Sequence, residues 1–256
     1  MTDESILKPD QVPTELKTDQ DKQLINLPPV VMIVIGVLLA VHLVLQFANQ
    51  PWQSWVQFAF AFIPARFGPS PFPQLPGSAY WSMFTYAFLH ADWFHVATNC
   101  VWLAIFSKPV ATWLGSARYL AILVISIVAG ALAGLVVHWG QFVIMVGASA
   151  GVSGVLAAAI PIMYGGEYAR PNDPVGILSH FRPLSPTQLL TNKSALIFTF
   201  IWLGATMITA TSQYMTGTAF LEERVIAWEA HLGGFIAGLI SFYVLDRKRT
   251  SVFQKM

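Results

Sequence analysis

The sequence reads as an all-α integral membrane protein, a bundle of six transmembrane helices. Three observations predict it. Charges are too few to coat a soluble surface, several apolar stretches match the thickness of a bilayer, and basic residues gather on one side of those stretches. Of 256 residues, 55% are hydrophobic and 11% charged, whereas an ordinary soluble domain carries about 25% charged residues. A net charge of +1 without a large basic cluster gives no footing for a nucleic-acid partner. Cys100 is the single cysteine. It leaves no intramolecular disulfide and no multi-cysteine metal site, and it reads as a small packing residue.

A helix needs about 20 residues to cross a membrane. Candidate spans lie near 28–48, 88–107, 117–138, 147–165, 194–212 and 226–245. The second and fourth begin with polar or small residues, where an active site would interrupt the apolar pattern. Residues 1–26 are mixed in charge and bear prolines. A signal peptide is shorter and opens with basic residues, so a flexible cytosolic tail is expected there. Residues 27–247 form the expected membrane domain and 248–256 a cytosolic C-terminal tail. The 49–87 loop holds Trp52, Trp55, Phe58, Phe60, Phe62 and Trp81, residues that suit the membrane–water interface. The 166–193 loop bears prolines and is expected to be irregular. No internal repeat supports an inverted-repeat transporter.

Lysine and arginine fix the expected orientation. With a cytosolic N-terminus, twelve of the fourteen fall inside, and Arg66 and Arg224 alone fall outside. The positive-inside rule then puts both termini in the cytosol. Spans two, four and six run in the same direction in this topology. Their N-terminal ends carry His95 and Asn99, Ser149, and His231, which therefore share one outer layer of the membrane. Ionisable side chains are costly in a bilayer and mark function there.

A serine and a histidine in that layer point to a nucleophile and its general base. Gly147 and Gly151 in span four, with Ala150 and Gly154 offset, and Gly234 and Gly238 in span six, would let the two backbones approach closely. His95 and Asn99 are four residues apart on one helix face. Both can donate to an oxyanion on a scissile carbonyl, as can the Ser149 N–H. No acidic third member is evident. Glu229, two residues from His231, falls on roughly the opposite face, and Asp92 lies at the outer rim, so a Ser–His dyad is expected. Ser153 is a rival nucleophile one turn deeper, where its hydroxyl can bond to the carbonyl of the preceding turn. His42 and His138 read as interfacial residues at segment ends. His90 lies near His95 and Asp92, but no HExxH helix occurs, and neither a metal nor another cofactor is expected.

These residues together resemble the rhomboid family of intramembrane serine proteases, in a bacterial form. The resemblance covers about 24–247. Its HxxxN motif is similar to His95-Val-Ala-Thr-Asn99, its GxSG motif to Gly147-Ala148-Ser149-Ala150, and its last helix to Ala230-His231-Leu232-Gly233-Gly234. It implies a six-helix core, Ser149 as nucleophile, His231 as base, and His95, Asn99 and the Ser149 N–H as oxyanion donors. Ala150 departs from the motif's second glycine and could crowd the oxyanion site. Ser153 stands where many relatives have an aromatic against the histidine. Ser82 and Ser107 also replace common family residues.

The expected function is an intramembrane serine endopeptidase that cleaves single-span membrane proteins near the outer face. A bacterial inner membrane is its expected setting. The alternative is a catalytically silent protein of the same fold that binds transmembrane helices. A channel or transporter would need polar residues through the depth of the bundle, not in one layer.

Overall fold

The computed structural model describes residues 27–69, 73–168, 180–215 and 227–253; the expected N-terminal tail, 1–26, lies outside them. Helix α1 (Pro29–Phe47) opens with proline at its first position, where a missing N–H costs nothing. Helix α2 (Gln50–Phe60) is capped by the Asn49 side chain, which accepts from Trp52 N. A 3-10 turn (Pro64–Phe67) and α3 (Ser78–Thr85) complete the 49–87 connection. After a second 3-10 turn (Tyr86–Phe88) come α4 (Trp93–Leu114) and α5 (Ser116–Val137). The junction between α4 and α5 turns at Gly115, whose φ of 83° favours glycine. Next are α6 (Ser149–Met163), strands β1 (Gly166–Tyr168) and β2 (His180–Arg182), and α7 (Pro186–Thr191). Helices α8 (Lys193–Met215) and α9 (Trp228–Phe253) follow.

The chain is thus an all-α membrane bundle. Pro29–Phe47, Ser116–Val137 and Trp228–Asp246 are long and apolar enough to cross a membrane, and Ser149–Met163 and Lys193–Ile208 are shorter apolar helices. The second expected span, 88–107, is displaced to Trp93–Leu114 because Asp92 caps that helix and accepts from His95 N at 2.8 Å. Of the 166–193 segment, 169–179 lie outside the described residues, and the rest is not irregular as expected. Its described residues form an antiparallel pair with Glu167 opposite Phe181, then α7 with a Ser185–Gln188 capping box.

Helix α6 is the axis of the bundle. Every residue from Ala150 to Pro161 is buried, as expected of a helix apolar on all sides. Helices α4, α5 and α9 pack around it, and α1 packs on α4. Small residues make this possible. A Cβ placed on Gly234 would lie 2.8 Å from the carbonyl carbon of Ala150, and one on Gly238 would overlap the backbone of Gly154. Helix α8 stands apart. It meets the bundle through Trp202 stacked on Phe235 at 5.3 Å and Phe198 against Phe106 at 6.0 Å.

The 49–87 connection is tied to the segment that precedes α6. Phe62 N donates to Met145 O at 3.1 Å and Met145 N returns a bond to Phe62 O at 2.9 Å. Arg66 donates to Ala61 O at 2.8 Å and to Phe58 O, and Trp81 Nε1 donates to Ala59 O at 2.8 Å. Burial lowers the pKa of Arg66 from its ordinary value.

Candidate active site

Ser149 is the first residue of α6, and His231 lies in the first turn of α9. Both are half-buried. A helix of 15 residues is about 22 Å long, less than the roughly 30 Å of a hydrocarbon core. Helix α6 therefore cannot reach both membrane surfaces. The starts of α6 and α9 meet over α5. A Cβ on Gly130 would overlap the Ala150 methyl and sit 3.0 Å from Ala230 O. Ala150 and Ala230 are the chain neighbours of Ser149 and His231. Among the described residues, no hydrogen bond joins the Ser149 hydroxyl to the His231 ring, and buried His231 Nδ1 has no partner.

His95 and Asn99 reach the same place from α4. A Cβ on Gly147 would lie 2.7 Å from both Cε1 and Nε2 of His95 and 3.8 Å from Asn99 Nδ2. Gly147 has a φ of 116°, which side chains rarely adopt, so glycine is needed here on two grounds. Its N–H donates to Tyr86 O at 3.0 Å, and the Tyr86 hydroxyl donates to Ile127 O at 2.8 Å. The loop before Ser149 is thereby fixed to α5. Asn99 is buried, and its Nδ2 has no partner among the described residues. An orphaned buried donor costs about 1–3 kcal/mol.

Several residues stand otherwise than the sequence predicts. Gly147 and Gly151 share GxxxG spacing but do not form the seam with α9. Gly147 faces His95, and Gly151 faces Leu123 and Ile127 of α5. The seam is made by Ala150 and Gly154 against Gly234 and Gly238. The Ala150 methyl points at Gly130 on α5, which receives it because it has no side chain. His42 is not an exposed residue. It is 2% exposed and stands edge-on to Trp93 at 4.6 Å. Ser153 does stand as the sequence predicts: it is 1% exposed, and its hydroxyl donates to Ser149 O of the preceding turn at 2.7 Å.

Three residues gain roles that local sequence does not reveal. Asp92 caps the helix that carries His95. His90 Nε2 accepts from Ala148 N at 3.4 Å, and its ring meets that of His95 edge-on at 5.0 Å. Glu229 faces His138, with Oε1 2.7 Å from Nε2, and does not serve His231. The proximity of His90 to His95 in sequence was the one available signal. Among the described residues no group of three His, Cys, Asp or Glu could hold a metal ion.

Fold and site define a polytopic membrane protein whose buried polar groups converge at one end of its central helix. A family model described as Rhomboid domain matches residues 77–168, to which the chain is similar over that stretch. The match takes in His95, Asn99 and Ser149, while His231 lies beyond it. Rhomboid proteins are typically serine intramembrane proteases. No curated protein matches the chain.

Proposed function

We propose that this protein is an intramembrane serine endopeptidase that cleaves single-span membrane proteins. The observation that carries the proposal is the convergence at the start of α6. His95 and Asn99 lie against Gly147, two residues before Ser149, and the neighbours of Ser149 and His231 meet over Gly130. Ser149 Oγ attacks the carbonyl carbon of the scissile peptide, and His231 takes the hydroxyl proton. His95, Asn99 and the Ser149 N–H hold the oxyanion, and preorganised donors of this kind each contribute about 3 kcal/mol. His231 then gives its proton to the leaving amine, and water attacks the acyl-enzyme by the reverse route. The site lies at the end that the lysine and arginine distribution assigns to the outside, with both termini in the cytosol and a bacterial inner membrane as the setting.

The second reading is a helix-binding protein of the same fold without catalysis. The missing Ser149–His231 hydrogen bond favours it. Labelling of the detergent-solubilised protein with a fluorophosphonate probe separates the two. The protease reading expects wild type to label and Ser149→Ala and His231→Ala not to. A folded wild type that stays unlabelled supports the silent protein.

A further inference from the structure

We propose that the His138–Glu229 pair is a positioning clamp that sets where His231 stands against Ser149. The inference rests on the protease reading above. Among the described residues nothing bonds to His231 Nδ1, so no described carboxylate or carbonyl fixes the ring from behind. The ring takes its place from the backbone of the first turn of α9. That turn is held at two levels. Lower down, Gly233 packs on Ala129 and Ala133 of α5, and Gly234 on Ala150 of α6. Above them stands Glu229, two residues before His231.

Glu229 is 4% exposed, and a carboxylate buried without a partner is strongly unfavourable. Its partner is His138, the residue that ends α5, whose own N–H donates to Gly134 O at 2.9 Å. At 2.7 Å between Nε2 and Oε1, a proton lies between ring and carboxyl. The other ring nitrogen, Nδ1, is 3.1 Å from Gln141 Oε1. His138 is thus fixed at both nitrogens. A part-buried pair of this kind adds little net stability, yet losing His138 would strand the buried Glu229 charge.

Helix α5 is the common frame. Its Gly130 receives the Ala150 methyl beside Ser149, and its end grips Glu229 beside His231. One rigid helix therefore references nucleophile and base to each other, although no bond joins them directly.

The test uses the full-length protein in detergent, with fluorophosphonate labelling rates measured well below each variant's melting temperature. Glu229→Ala is expected to label about ten- to a hundredfold more slowly than wild type, since a misplacement near 1 Å costs about that much. Glu229→Gln is expected to keep most of the rate, because its amide N–H can donate to His138 Nε2. Equal rates for wild type and Glu229→Ala overturn the proposal. Should Glu229→Ala not fold, melting of His138→Ala, Glu229→Leu and the double variant decides, since each single change removes the interaction. Non-additive shifts support the clamp, and additive shifts overturn it. A wild type that never labels defeats the protease reading and the positioning role with it. The melting cycle then still reports whether the clamp exists.

Discussion

Gly234→Ala tests whether the seam between α6 and α9 is what brings nucleophile and base together. The added Cβ would stand 2.8 Å from the carbonyl carbon of Ala150 and 3.0 Å from its Cα, and closer still to its carbonyl oxygen. Carbon atoms rest at about 3.5–4.0 Å, so the helices must part by at least about 0.7 Å. The obstacle is backbone within a fully buried helix, and no side chain can rotate out of the way. Overpacking of this kind costs about 1–3 kcal/mol. The displacement passes directly to the proposed catalytic pair, because Gly234 lies one turn below His231 and Ala150 follows Ser149. A shift near 1 Å can cost about 10²-fold in rate. Fluorophosphonate labelling rate and melting temperature are measured side by side, with Gly204→Ala as control, since a Cβ on Gly204 meets nothing within 4 Å. The expected result is a lower melting temperature and strongly slowed labelling for Gly234→Ala alone. Wild-type values for both would refute the reasoning, since the helices would then tolerate separation without consequence.

Two further substitutions probe the surroundings of Ser149. Gly147→Ala places a side chain at a φ of 116° and 2.7 Å from the His95 ring; strain of about 1–3 kcal/mol and a displaced His95 are expected. Loss of labelling with a lowered melting temperature checks it. Ala150→Gly removes a methyl that fills the notch at Gly130. It is expected to lower stability by about 1 kcal/mol, the usual effect of glycine within a helix, without speeding labelling. Faster labelling would show that the methyl crowds the oxyanion site after all.

Sequence alone was enough for the class of protein and for a short set of candidate chemical groups. Apolar runs of bilayer length can only be helices, because hydrocarbon offers the backbone no other hydrogen-bond partner. Charge bias ordered them, and the rarity of polar side chains in such runs drew attention to His95, Asn99, Ser149 and His231. The spacing of His95 and Asn99 even assigned them a common face, and both lie against Gly147. What periodicity reports is the face a residue occupies, and it says nothing of the neighbour that fills the space beyond. For that reason spacing alone did not decide between Gly147 with Gly151 and the offset Ala150 with Gly154 as the face toward α9, nor that Gly130 stands opposite the Ala150 methyl. Glu229 could be excluded as a partner of His231 from helix geometry, yet its true partner, His138, lies 91 residues away along the chain. Only the packing of α9 against α5 brings that pair together, because contacts of such separation depend on how whole helices dock and not on any local pattern.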